Sequence, residues 1–600
     1  MDGLGLVLAH SEPAGGTPTE DLIPAAIVAA VLMGALALFG WAHRAGRTSL
    51  LARTASFSER ASGLPGWAAL PLAIAGGALL VAVFGFYWDV ASHIDNGRDP
   101  GPFANPSHWL IIGGLAGIAL GGYVSVLLGS GPTSSAIRVR PGWHAPAGGA
   151  LMLLCGVIAV AGFPLDDVWH RLFGQDVTLW SPTHMQMVGG ATLSTIALWV
   201  LLVEGHRDPA DAIRAERTRR LSEAAVGGAF LLGLSAFHAE FDYSVPQFRL
   251  VYHPIVLMLS SGIALVAARI YFGRAAALKA VGFFLLVRAL LSFVIGPVMG
   301  HTTLHFPLYL AEALVVEAIA LRVGTERQLW FGALAGIGIG TVGLAAEWGW
   351  SQVWMTIPWP AALLPEGVVL GLVAGVAGGV LGGFMGRALI PPHAPRQRVP
   401  IAVGLATAVA ALVVLFYPFP TDAALEGSAT VSLTEVPGRD GRWVHADIVM
   451  EPNDVANGAE WFNVTSWQGG GSVVTELSQI DAGHYETPVP IPVYGEWKAL
   501  LRLQRGSSLM AAPIFLPKDD AIPAPAVPAE DRFTRELGSD KRIVLREAKD
   551  VDEALTYGAS SAIIAIAIVW MVAIVWVLRR VERSADASLR MRSAEAIPAT

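Results

Sequence analysis

The sequence predicts a polytopic α-helical membrane protein of about 13 transmembrane helices, with an extracytoplasmic β-sandwich inserted before the last helix. Three observations carry that prediction. Apolar runs near the ~20 residues that span a bilayer recur from Leu22 to Phe419 and again near Ser560. Only 15% of residues are charged and 54% are hydrophobic, with mean hydropathy +0.53, whereas a soluble domain carries roughly a quarter charged residues. After Phe419 the apolar spacing changes from helical to alternating, punctuated by Gly and Pro.

Residues 1–21 form a polar tail without the basic-then-apolar order of a signal peptide. The first span, 22–41, is followed by Arg44, Arg47, Arg53 and Arg60, which places that loop in the cytoplasm and the N-terminus outside. Further spans are expected at 68–86, 108–128, 147–163, 184–203, 224–237, 252–271, 280–299, 306–321, 329–346, 368–390 and 401–419. Every second loop is then basic, including the run Arg214, Arg217, Arg219 and Arg220, and so is the cytoplasmic tail 581–600. The segment 425–517 reads as the β-sandwich of some seven strands, 518–557 as a linker and surface helix, and 558–580 as the last transmembrane helix. The location implied is the cytoplasmic (inner) membrane of a bacterium, with the lipid bilayer as first partner. The net charge of −8 offers nothing to nucleic acid. The single cysteine, Cys155, lies in an apolar run, so disulfides and Cys-based zinc sites are excluded.

Within the membrane part, 22–419, two hairpins repeat one pattern, at 88–108 and 166–184. Asp89 and His93 are four residues apart, as are Asp166 and His170, which sets carboxylate and imidazole on one helix face. Gly97-x-Asp99 matches Gly174-x-Asp176, and Asn105-Pro106-Ser107-His108 matches Ser181-Pro182-Thr183-His184, a helix-start signature with His in the first turn. Asp89, His93 and His108, and Asp166, His170 and His184, are therefore two candidate metal-ligand sets. Their register implies an internal duplication.

His238, His253, His301 and His305 fall at the same outer ends, so eight histidines share one side. One histidine at an interface is more often merely tolerated; eight, in a repeated pattern with aspartates, favour ligation. His238, Asp242, His253, His301 and His305 are possible additional metal ligands. Asp99, Asp176, Glu240 and Glu312 are candidates to orient a liganding histidine from behind, and Glu312 and Glu317 could also relay protons. Trp348, Trp350, Trp354 and Trp359 read as an interfacial belt. In the β segment, His445, His484 and Met510 are candidate ligands, more simply read as strand residues.

Asp with imidazole is an N/O donor set that suits copper, zinc or iron, and three protein ligands leave a position open. The hairpin D-x3-H followed by Asp-Val-Thr-Leu-Trp-Ser-Pro-Thr-His resembles the histidine-bearing copper hairpin of the copper membrane monooxygenases, the particulate methane and ammonia monooxygenase family. The resemblance implies copper held by Asp166, His170 and His184, and by repetition by Asp89, His93 and His108. It also implies O2-dependent hydroxylation of a small substrate such as a hydrocarbon or ammonia, partner subunits, and electrons from quinol or a periplasmic donor. The spacer between the histidines is longer here, and the motif occurs twice. The stretch from Gly483 to Leu503 resembles small periplasmic β-sandwich domains of the YtkA/FixH type, which accompany copper-handling proteins. A copper acquisition or delivery protein is thus an alternative, and a haem-b electron carrier with facing histidines is another.

Overall fold

The computed structural model describes residues 17–98, 103–129, 131, 135–174, 178–391, 397, 400–418, 424–522, 524–544, 549 and 551–595. Eleven of its helices are long and apolar enough to cross a membrane, from Glu20–Arg44 through Ala361–Leu389 to Glu553–Ser584. Two shorter ones, Leu310–Val323 and Ile401–Phe416, occupy the remaining apolar stretches. Small residues let the helices approach closely. A Cβ placed on Gly379 would lie 2.0 Å from the Gly332 carbonyl oxygen, so the Leu364–Leu389 and Gln328–Gly338 helices touch backbone to backbone there.

The bundle has two unlike ends. At one, arginines tie loops together through backbone oxygens, because helix C-termini leave carbonyls unsatisfied. Arg44 donates to Leu127 O and Gly129 O, Arg214 to Arg60 O, and Arg207 to Val581 O. Arg387 pairs with Glu582 at 2.7 Å at the same end. The other end carries the eight histidines, and the β-sheet region is fastened over it. Gln468 N donates to Ile94 O at 3.0 Å and Gly470 N to Asp95 O at 2.9 Å. Arg249 Nε donates to Gly506 O at 2.9 Å, Arg502 to Pro246 O at 2.7 Å, and Arg98 pairs with Asp519 at 3.1 Å.

The β region comprises two antiparallel sheets. One runs in the order Gly538–Ser539, Ser508–Phe515, Lys498–Arg505, Trp461–Trp467, Ser472–Glu476. The other runs Arg532–Glu536, Ser428–Glu435, Trp443–Glu451, His484–Glu486, Ser478–Asp481. Val431, Ile448 and Tyr485 of one share a core with Val464, Leu501 and Ala512 of the other. The structure extends this region past the expected boundary at 517. Arg532–Glu536 is a strand paired with Ser428–Glu435, not linker or surface helix. Its charges hid an alternation in which Phe533 points inward, and the helix just beyond it, Asp540–Val544, is one short turn.

The span expected as a helix from 306 also differs. Residues 302–309 are non-helical, and the helix starts only at Leu310. Pro307 cannot donate to a helical ladder, and Tyr309 sits at φ +54, outside helical space. Nor are the tryptophans from Trp348 to Trp359 a simple belt. Trp348 and Trp350 donate to Trp359 O and Phe306 O, and Trp359 is buried and donates to His253.

Candidate metal centres

The first hairpin is built from helix ends. Asp89 and His93 lie one turn apart near the end of the Gly66–Asn96 helix, and His108 lies in the first turn of Pro106–Leu128, which Asn105 caps by accepting from Ser107 N at 3.0 Å. The side chains of Ser107 and Asn105 also donate to Asp89 Oδ1, at 2.7 and 3.0 Å, fixing the carboxylate. His108 Nε2 stands 3.0 Å and His93 Nε2 3.6 Å from that same oxygen. One ligand atom from each of the three residues lies within 4.8 Å of the others.

The ring orientation of His93 is set from behind. Its Nδ1 is 2.9 Å from Gly97 O, which can only accept, so Nδ1 carries the hydrogen. In the neutral ring, Nε2 then aims a lone pair toward a carboxylate oxygen. Two electron-rich atoms at that spacing call for positive charge between them: a proton or a metal ion.

The second hairpin repeats the device. Asp166 and His170 end the Ala147–Phe173 helix, and His184 starts Pro182–Arg207, capped by Ser181. Thr183 donates to Asp166 as Ser107 does to Asp89. Asp166 lies 3.7 Å from His170 Nε2 and 3.5 Å from His184 Nε2, so it stands between both histidines, although the three ligand atoms do not close to the 4.8 Å of the first set. His184 Nδ1 donates to Thr178 O at 2.9 Å. Glu240 in turn holds that loop, accepting from Thr178 Oγ1 at 2.7 Å and Leu179 N at 2.9 Å. Glu240 thus orients His184 through one intermediate residue. Asp99 and Asp176 lie outside the described residues.

Both sets face one cavity of about 2600 Å³. Phe163 packs edge-on against His108 with ring centroids 5.6 Å apart and lines the cavity beside both sets. Toward the bundle the walls are apolar, with Leu79, Val83, Ile112, Leu115 and Val157 among them. On the side of the β region, Trp467, Gln468 and Trp497 line it.

The third group, His238, Asp242 and His253, also brings its ligand atoms within 4.8 Å, but it is fully buried and differently partnered. Arg288, itself buried, pairs with Asp242, and His238 bridges Asp242 Oδ1 at 3.1 Å and the Tyr309 hydroxyl at 3.3 Å. The Trp359 indole, which can only donate, reaches His253 Nδ1 at 3.1 Å and occupies its lone pair. The guanidinium already offsets the charge of the aspartate, so what completes this group differs from what completes the hairpins. The signal for it was in the sequence: a lone Arg288 in an apolar span needs a carboxylate partner.

His301 is committed at both nitrogens, Nδ1 to Asp95 at 2.9 Å and Nε2 to the Trp88 indole at 3.3 Å. His305 packs on Trp354 with its backbone N–H on Asp242 O. Glu312 orients no histidine, because its side-chain oxygens have no hydrogen-bond partner among the described residues. Glu317 pairs with Arg269 at 2.9 Å. In the β region, His445 donates to Thr487 O, His484 bonds Asp447, and Met510 is in the core, so these three do not converge.

Comparison with protein-family models, characterised proteins and solved structures finds no match for this chain.

Proposed function

We propose that the chain is a copper-binding integral membrane protein of the bacterial inner membrane, acting as a copper-dependent oxygenase. In this reading the spans number thirteen, the histidine end and its β-sandwich face outward, and the arginine end is cytoplasmic. The observation that carries the metal is the duplicated aspartate flanked by two imidazoles, with the Nδ1 of one ring in each hairpin tied to a backbone carbonyl. Asp89, His93 and His108 would hold one ion, and Asp166, His170 and His184 another. The donor set fits: imidazole and carboxylate suit Cu, Zn or Fe, and copper is the choice the resemblance of the hairpin favours. Bound copper supplies O2 activation. The residues of the chain fix the imidazoles, and the apolar cavity walls admit a small substrate from lipid and limit water.

Hydroxylation of R–H by O2 to R–OH and water consumes two electrons and two protons, so a quinol or periplasmic donor, and partner subunits to couple it, belong to this reading. One observation favours a second reading, copper acquisition: the β region lines the same cavity, as a domain that passes ions inward would. Haem-b is poorly supported, since the paired histidines share an aspartate rather than face across an open slot.

The test is elemental analysis of the purified protein beside Asp166→Ala and His170→Ala. Copper in the wild type, reduced in both variants, is expected. Unchanged copper in both overturns the ligand set, and zinc or iron in its place overturns the copper reading and the resemblance behind it.

A further inference from the structure

The broken span between the π-helical Val294–Val298 and the Leu310–Val323 helix returns into the bundle as non-helical chain. Ser292 donates to Leu304 O at 2.9 Å, and the Tyr309 ring packs edge-on against Phe284, mid-way along the Ala276–Val298 span, with centroids 5.1 Å apart. Irregular backbone at such depth persists only where protein or enclosed water satisfies it, and interrupted helices are where membrane proteins bind ions.

Here the freed N–H groups of Leu308 and Tyr309 go to Glu347, at 3.0 and 2.6 Å, from the facing Leu344–Trp354 helix. Glu312, in the first turn beyond the break, is fully buried, and neither of its side-chain oxygens has a donor among the described residues. It lies against the same facing helix: a Cβ on Gly343 would be 2.7 Å from Glu312 Cγ. The nearby cations are already taken, Arg288 by Asp242 and Arg269 by Glu317. The Gln328–Gly338 helix brings no charged residue, and Tyr309 hydrogen-bonds His238. Two bare carboxylates cannot share an apolar pocket that offers donors to only one.

We propose that Glu312 and Glu347 hold a single proton between them, forming an intramembrane proton-binding site at the interrupted helix. Two observations point to the ligand independently: a buried carboxylate with no partner, and a span broken where that carboxylate sits. The Glu347 oxygens take the backbone donors. Glu312 keeps the proton, and Tyr309, whose backbone N–H bonds Glu347, bonds His238 through its hydroxyl, and His238 in turn bonds Asp242. The inference stands apart from the copper reading and does not fall with it.

The test is infrared spectroscopy of the full-length protein in lipid nanodiscs at neutral pH, following the carbonyl stretch of protonated carboxylic acids and its shift in heavy water. Glu312→Gln is expected to lose one such band. Glu347→Gln is expected to keep it at a changed frequency, because the carboxylate beside it has been replaced by an amide, and Glu317→Gln to leave it unmoved. A band that survives Glu312→Gln, or a wild type with none, overturns the proposal. So does a band that vanishes when sodium is added, which would make this a metal-cation site. Should Glu312→Gln fail to fold by thermal unfolding, an unchanged frequency in Glu347→Gln overturns it alone.

Discussion

The repeated hairpins and the His238 network use the same residue types, an aspartate between two histidines, and differ in what completes the charge. In the hairpins the aspartate is fixed by neutral hydroxyl and amide donors, Ser107 and Asn105 in one and Thr183 in the other. In the network a guanidinium is paired to Asp242 in a fully buried setting. The difference teaches that spacing and residue type nominate a metal site, whereas the charge balance around the carboxylate decides whether a cation is wanted. Burial sharpens it. His93 is 36% exposed and can exchange ligands, while His238 is 0% exposed.

The largest expected effect breaks the network. Arg288→Met leaves Asp242 buried without its counter-charge and should destabilise the fold by about 3–5 kcal/mol. Adding Asp242→Asn should recover part of that loss. Asp89→Asn, in metal-free protein, should change stability by about 1 kcal/mol or less, because hydroxyl and amide donors also hold its carboxylate and its histidine partners are partly exposed to solvent. Thermal unfolding in detergent measures all of these. If Asp89→Asn proved as damaging as Arg288→Met, the contrast between the regions would be lost.

A second expected effect separates the two hairpins from each other. Glu240 anchors the loop whose carbonyl orients His184, whereas the carbonyl partner of His93 is Gly97 on its own helix end. Glu240→Gln should therefore weaken metal binding at the second hairpin by about 10–100-fold and leave the first unaltered. Titration with copper in Asp89→Ala and Asp166→Ala backgrounds assigns the change to one hairpin. Equal weakening in both would show that Glu240 acts on the fold and not on His184.

The hairpins were legible because their geometry is local. A four-residue spacing on a helix and a Ser/Asn-Pro cap determine where Asp89, His93 and His108 lie, with no long-range contact needed. The eleven long apolar spans were legible from hydropathy for the same reason. What escaped depends on distant partners. Nothing near Arg288 in the chain names Asp242, and nothing near Glu312 names Glu347. The Phe306–Tyr309 stretch is apolar enough for a helix, so hydropathy could not show that its backbone is non-helical; Pro307 was the one local hint. Arg532–Glu536 was hidden by its charges, since a strand on a sheet edge with one buried Phe reads like a solvated helix until its partner Ser428–Glu435 is known.

The smallest expected effect concerns how the β region stays on the histidine end. Burial raises the Asp519 carboxyl, but the hydrogen bond and charge of Arg98 outweigh it, and the group sits below its ordinary range. A carboxyl held low in the folded state adds stability that is present above its unfolded value, near pH 4, and that is lost as pH falls through the folded value. Glu460, at the same seam through Gly506, is pushed the other way by burial and favours the acidic side. Asp519→Asn should thus remove the acid-dependent loosening of the seam while changing stability at neutral pH by less than about 1 kcal/mol, as partly exposed pairs do. Hydrogen exchange at Gln468 and Gly470, whose N–H groups bond Ile94 and Asp95, reads that seam directly. Acid-dependent exchange that persists in Asp519→Asn would show that the Arg98–Asp519 pair is not what ties the seam to pH.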